Sequence, residues 1–203
     1  MVPCPLCRRP RGHHSHLCQA CRDQLKLPDG GLQGQHPLPW WAAGSYDGAL
    51  RRRLLGLRKQ PRPPALMALL AGMQPSLAPA PQRPLLVPVP SWKKHPNPLP
   101  ELLCRCLARQ LGLGTAELLA RSHPVLGQHH LGRAARLANQ RGSFLCRRPP
   151  RPGEARRRPL LLVDDILTSG ATALAAADAL RVGGWRVEGL LCLARTPARR
   201  DLK

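Results

Sequence analysis

The stretch from Leu160 to Thr172, LLLVDDILTSGAT, most restricts the fold that this chain can adopt. It begins with four apolar residues, which are typical of a central parallel strand buried on both faces. Two acidic residues and a short turn follow, and helical spacing begins near Thr172 and runs to Arg181. Because a second apolar strand is predicted at 187–194, the segment forms a strand–turn–helix–strand unit. This unit predicts an α/β fold with a parallel sheet.

The turn between this strand and its helix carries two kinds of binding group. The backbone N–H groups of residues 168–172 face outward at a helix N-terminus, where unpaired donors and the helix dipole favour an anion. The carboxylates of Asp164 and Asp165 would repel phosphate, but they suit sugar hydroxyls and a hydrated Mg²⁺. The turn therefore predicts a ligand with a phosphate, a ribose and a nearby Mg²⁺. The predicted phosphate- and ribose-binding residues are Thr168, Ser169, Gly170, Ala171 and Thr172.

A second motif lies near the N-terminus, where two C-x2-C pairs are separated by ten residues. Two such turns can close a tetrahedron of thiolates around Zn²⁺. A reduced loop or two disulfides are the alternatives, and disulfides are disfavoured in a cytosolic protein. Four sulfurs leave no open coordination position, so we predict a structural zinc that folds a short segment. The predicted ligands are Cys4, Cys7, Cys18 and Cys21.

The charge of the chain points to a polyanionic partner. There are 32 Lys and Arg residues against 11 Asp and Glu residues, which gives a formal net charge of +21. Such an excess favours nucleic acid or another polyphosphate as a partner, and a merely solvated basic surface is the alternative. No apolar run approaches the roughly 18 residues of a membrane span, and the start lacks the apolar core of a signal peptide. We therefore predict a cytoplasmic protein without membrane insertion.

The remaining chain predicts two units and several further elements. Residues 22–39 are rich in Gly, Pro and Gln and predict a linker. We accordingly expect an N-terminal zinc module with its linker at 1–35 and the main domain at 36–203. Residues 120–144 are rich in Arg and His, have weak periodicity, and predict a long excursion. Further strands are predicted at 40–46 and 85–90, and further helices at 49–59, 65–73 and 99–111.

The helix predicted at 49–59 is amphipathic. Its apolar positions are Leu50, Leu54, Leu55 and Leu57, and its predicted opposite face carries Arg51, Arg52, Arg53, Arg58 and Lys59. This basic face is either an ordinary solvated surface or a surface that follows phosphates.

Two resemblances follow from these motifs. VDDILTSGAT resembles the phosphoribosyl pyrophosphate motif of type I phosphoribosyltransferases. A zinc knuckle followed by such a domain resembles the ComF/GntX family, also called ComFC. The further similar segments are Tyr46–Gly48 with Leu57–Lys59, VPVP at 87–90, Gln128, Leu131, Arg136, Asn139, Gly142, Phe144 and Leu193–Thr196. One departure is the stretch from Lys93, KKHPNPLPELL, where the family commonly carries Arg-Gly-Phe-Asn-Gln.

The resemblance implies an open parallel sheet of the type I phosphoribosyltransferase kind, flanked by helices and preceded by a small zinc-binding module. It also implies a role in natural transformation, in which family members act on incoming single-stranded DNA, typically beside a ComFA-type helicase. No reaction is generally assigned to the family, so the resemblance leaves enzymatic activity open.

Three hypotheses follow. In the first, which we prefer, the protein binds single-stranded DNA on a basic groove, and the turn at 164–172 engages the phosphate and ribose of a nucleotide. In the second, it is an active phosphoribosyltransferase in which Asp164 and Asp165 stabilise the charge that develops on the ribose. Lys93, Lys94 and Arg136 would then neutralise the departing pyrophosphate together with Mg²⁺. In the third, the protein is a scaffold whose loop binds a phosphoribosyl ligand only to regulate docking to a helicase.

Overall fold

The computed structural model describes residues 2–12, 16–75, 83–91, 97–122 and 142–197. The strands are β1 Val2–Pro3, β2 Pro10–Arg11, β3 Leu32–Gly34, β4 Trp40–Ser45, β5 Leu85–Pro88, β6 Gly114–Thr115, β7 Leu119–Arg121, β8 Phe144–Cys146, β9 Leu160–Leu167 and β10 Val187–Arg195. The helices are α1 Gln19–Leu25, α2 Gly48–Lys59, α3 Pro63–Leu70, α4 Leu99–Leu111, α5 Glu154–Arg157 and α6 Ala171–Val182.

Six of these strands form the main sheet of the described chain, in the order β3-β4-β10-β9-β5-β6. All neighbouring pairs are parallel except β3 and β4, which are antiparallel. Strand β9 is one of the two central strands, and its residues from Leu160 to Val163 are at most 1% exposed. Burial on both faces is the property that the apolar run predicted. The predicted α/β class, with a mostly parallel sheet flanked by helices, is confirmed, whereas the likeness to a type I phosphoribosyltransferase stays a prediction.

Helices cover both faces of this sheet. Leucines of α2, α3 and α4 pack on one face in a single apolar cluster, which also contains Leu6, Leu17 and Leu25 of the cysteine-rich segment. The alanines of α6 and Phe144 of β8 pack on the other face. The predicted helix at 99–111 is confirmed at both ends. Helix α3 begins at Pro63, before its predicted start, because proline is tolerated in the first turn of a helix.

The linker predicted for residues 22–39 is wrong in part. Helix α1 continues to Leu25, and β3 forms the antiparallel edge of the main sheet. The glycines of this segment reflect close packing, since a Cβ on Gly31 would lie 2.6 Å from the carbonyl oxygen of Ala42 and one on Gly34 would lie 2.6 Å from the ring of Trp40. The boundary between residues 35 and 36 stays a prediction.

The long excursion predicted at 120–144 is bounded by an antiparallel pair, because β7 and β8 are joined in the register Arg121–Phe144. Residues 123–141 lie outside the described part of the chain. No helix in the described ranges has the length and apolar character needed to cross a membrane. The cytoplasmic location stays a prediction.

Candidate functional site

The candidate site lies at the carboxyl edge of the parallel sheet, where β9 leads into α6. Strand β9 continues to Leu167, beyond its predicted end at Val163, because β10 supplies partners as far as Arg195. Both acidic residues therefore belong to the strand rather than to the turn. Since successive strand residues point to opposite faces, their carboxylates are separated.

Asp165 is 3% exposed and lies on the side of the sheet that α2 covers. Nε of Arg58 donates to its Oδ2 at 2.6 Å, and Nη2 of Arg58 donates to its Oδ1 at 3.0 Å. Nδ2 of Asn97 donates to the same Oδ2 at 2.8 Å. A bidentate arginine and an amide therefore neutralise and enclose this carboxylate.

The placement of Arg58 on the solvated face of α2 is wrong, because its side chain reaches Asp165. The sequence nevertheless carries a signal for this contact. Arg58 follows Leu54 by four residues, so the two side chains share one face of the helix. An arginine among buried leucines needs an anionic partner. Asn97 gave no comparable signal.

Asp164 is half-buried on the other face, and its Oδ1 accepts the backbone N–H of Asp165 at 2.8 Å. Burial, and then the negative charge of Asp165, raise the pKa of Asp164 well above its usual value. Burial lowers the pKa of Arg121 to about 10, and the negative charge of Asp164 acts in the opposite direction. An ionised Asp164 is therefore costly, and a ligand that donates hydrogen bonds or a cation would relieve that cost.

Arg121 is a site residue that the sequence does not single out, because it lies within the weakly periodic, Arg-rich region 120–144. Its guanidinium stacks on Phe144 at 3.9 Å from the ring centroid. Its Nε donates to the carbonyl of Pro90 at 3.0 Å, and its Nη1 donates to Oγ of Ser143 at 3.3 Å. These contacts hold a cation beyond the end of β5, where its charge interacts with that of Asp164.

The turn before α6 depends on Gly170, which has a φ of +83°. A Cβ at this position would lie 2.1 Å from Cγ of Pro37, so the loop before β4 covers one side of the turn. On the other side Thr168 is exposed, Ser169 and Thr172 are half-buried, and Ala171 is buried. Oγ of Ser169 accepts the N–H of Ala171 at 3.4 Å.

The backbone of this turn offers donors to a ligand. Among the described residues, the N–H groups of Ser169, Gly170 and Thr172 have no hydrogen-bond partner. Arg195, at the end of β10, fixes the turn because its Nη1 donates to the carbonyl of Leu167 at 3.0 Å and also to that of Thr168. The turn is thus held in place while its donors stay available, as binding of an anion requires. The ligand-binding roles of residues 168–172 stay predictions.

Three other predicted site residues, Lys93, Lys94 and Arg136, lie outside the described residues. Their roles toward pyrophosphate or DNA stay predictions.

The four N-terminal cysteines come together as their spacing predicted. All four sulfur atoms lie within 4.8 Å of one another, and none forms a disulfide. One pair lies on the turn after β1, where the N–H of Cys4 donates to the carbonyl of Arg9 at 2.8 Å, and the other begins α1. Burial acts to raise the pKa of Cys4, but backbone N–H groups of Cys18, Cys7 and Leu6 lower it to about 6. The pKa values of Cys18 and Cys21 are raised, Cys21 mainly by burial. The closeness of the four sulfur atoms is what allows these residues to hold a metal ion, which cysteines bind as thiolates.

Comparison with known proteins gives two relatives that span nearly the whole chain. The DNA utilization protein YhgH of Salmonella typhi is 28% identical over an alignment of 208 positions, which covers 95% of this chain and 84% of the relative. The protein of the same name from Salmonella typhimurium strain LT2 is 27% identical over 213 residues, with the same coverage. No family model matches the chain.

Proposed function

We propose that this chain acts in DNA utilization and binds the phosphate and sugar of a nucleotide, in single-stranded DNA or as a free phosphoribosyl ligand, at the turn from Asp164 to Thr172. One observation carries the proposal: the half-buried carboxylate of Asp164 near the end of β9 and the unpartnered backbone N–H groups of the turn before α6 lie on one short strand–turn–helix segment. A carboxylate accepts hydrogen bonds from sugar hydroxyls, and N–H groups at a helix N-terminus donate to phosphate. A nucleotide carries both groups at a short separation.

The DNA part of the proposal is supported by charge and by the relatives. The formal net charge is +21, and exposed Arg51, Arg52 and Lys59 line α2. The relatives are named as DNA utilization proteins. We also propose that the protein acts beside a ComFA-type helicase.

The described tryptophans indicate how DNA would be contacted. Trp185 is 3% exposed, and its Nε1 donates to the carbonyl of Arg148 at 3.0 Å. Trp40 and Trp41 are only half-buried, but Arg195 lies over the Trp40 ring and Trp41 packs against the core. The described residues therefore offer few exposed aromatic rings for base stacking, and Trp92 lies outside them. We propose that binding relies mainly on contacts to phosphates. Such binding tolerates any sequence and weakens strongly with salt.

The metal that we propose for the cysteine cluster is zinc, since four thiolates in a closed tetrahedral set suit Zn²⁺. Its role is structural, because the cluster packs beside Leu6, Leu17 and Leu25 of the shared core. When bound, the ion supplies cross-links between the turn after β1 and the start of α1.

Fluorescence anisotropy with labelled dT20 tests the DNA proposal. We expect binding at low salt, an affinity that falls linearly on a logarithmic plot against NaCl concentration, and equal affinity for an oligonucleotide of mixed sequence. A folded protein that does not bind dT20 at low salt would exclude this function.

A second candidate is an active phosphoribosyltransferase that uses phosphoribosyl pyrophosphate and Mg²⁺. The Arg121 cation, which bonds to the carbonyl of Pro90 after β5 and whose charge interacts with that of Asp164, favours it, since a cation at this edge would stabilise the charge on a departing pyrophosphate. Release of pyrophosphate when nucleobases are added one by one would reveal the reaction.

A further inference from the structure

The two adjacent aspartates have unequal surroundings. Asp165 has three hydrogen bonds from side chains, two from Arg58 and one from Asn97, and is almost fully buried. Asp164 is half-buried and accepts a backbone N–H from its neighbour. A carboxylate has about four lone-pair positions, so Asp165 has little capacity left for a ligand.

Asp165 and its two side-chain partners come from three separate parts of the chain. Arg58 lies in the last turn of α2, and Asp165 lies near the end of β9. Asn97 lies two residues before α4, and its Oδ1 also accepts the N–H of Leu99 at 3.2 Å, in the first turn of that helix. The cluster therefore joins α2, the end of β9 and the start of α4 at the edge where the candidate site lies.

We propose that Asp165 is a positioning residue, held by Arg58 and Asn97, and that Asp164 alone offers its carboxylate to the ligand. The inference rests on the proposed function, because it specifies which carboxylate meets the sugar. It also accounts for the stability of two adjacent acidic groups in the sheet. The charge of Arg58 compensates Asp165, so the repulsion that Asp164 experiences from its neighbour is reduced.

Three variants separate the two tasks, with ribose 5-phosphate plus Mg²⁺ as the calorimetric probe. Asp164→Asn should keep the fold and lower the affinity by about 10- to 100-fold, the range for losing a hydrogen bond to a charged group. Asp165→Asn should lower the melting temperature and cause a smaller loss of affinity at a temperature where the protein is folded. The double variant Arg58→Met/Asp165→Leu replaces the buried pair with apolar groups, so it should recover the melting temperature and most of the affinity.

The NMR resonance of the Arg58 Nε–H group reports on its hydrogen bond to Asp165 independently of ligand affinity. We expect this resonance to shift in Asp165→Asn, and to stay in place in Asp164→Asn and when the probe is added to the wild-type protein. A folded double variant that binds the probe as poorly as Asp164→Asn, or an Arg58 resonance that moves with the probe, would overturn the inference.

Failure of the proposed function is a distinct result. If the folded wild-type protein does not bind the probe, the ligand assignment falls, and with it the task given to Asp164. The resonance of Arg58 in the two single variants would then still decide whether Asp165 is held as described.

Discussion

Replacing Gly170 by alanine should destabilise the protein, because the turn before α6 leaves no room for a side chain. The backbone has a φ of +83°, and the added Cβ would lie 2.1 Å from Cγ and 2.9 Å from Cδ of Pro37. A left-handed conformation costs a residue with a Cβ about 1–2 kcal/mol. Overpacking of a filled site costs about 1–3 kcal/mol more. We therefore expect Gly170→Ala to lower the free energy of unfolding by about 2–5 kcal/mol.

Urea unfolding at 25 °C measures this change, and Gly56→Ala is the matched control. Gly56 lies within α2, it is exposed, and its added Cβ would meet no atom within 4 Å. Alanine is favoured over glycine inside a helix by about 0.5–1 kcal/mol, so the control should be more stable than the wild type. The same substitution should thus change the free energy of unfolding in opposite directions at the two positions. A Gly170→Ala variant within about 0.5 kcal/mol of the wild type, the usual range of neutral surface substitutions, would refute the close approach of Pro37.

Three further predictions concern single side chains. Since the folded-state pKa of Asp164 is raised, its contribution to stability is present at low pH and is lost as the pH rises through that pKa. Asp164→Asn should therefore have a higher melting temperature than the wild type at pH 8, and the difference should shrink toward pH 4. A difference that stays constant with pH would contradict a raised pKa. Cys7→Ser should lower both the metal content found by elemental analysis and the melting temperature. The control Cys146→Ser should leave the metal content unchanged, and equal metal content in the two variants would argue against metal binding by the four N-terminal cysteines. Trp185→Phe should leave the affinity for dT20 unchanged in anisotropy, because the indole is buried, and a large loss would show that the ring reaches DNA.

The sequence predicted those parts of the fold where local pattern and burial agree. The run Leu160–Val163 predicted a buried central strand, and the spacing of the cysteines predicted a cluster that the structure forms. Helix α4 was predicted at both ends, because its apolar periodicity is strong and Gly112 follows it with a φ of +63°. In these places a few residues decide the conformation.

The parts that the sequence did not predict depend on contacts between distant residues. The extension of β9 through Asp165 requires partners on β10, which a local pattern does not contain. The pairing of Arg58 with Asp165 joins residues 107 positions apart. Strand β3 resembled a linker because glycines that allow close approach of backbones are the same residues that predict loops.

The most direct test of the central claim is calorimetric titration of the wild-type protein and of Asp164→Ala with phosphoribosyl pyrophosphate and Mg²⁺. If the turn from Asp164 to Thr172 binds a phosphate and a sugar together, the wild type will bind the ligand, and the folded variant will lose most of that affinity. No binding to the folded wild type, or equal binding to both proteins, would contradict the assignment of this turn as the ligand site.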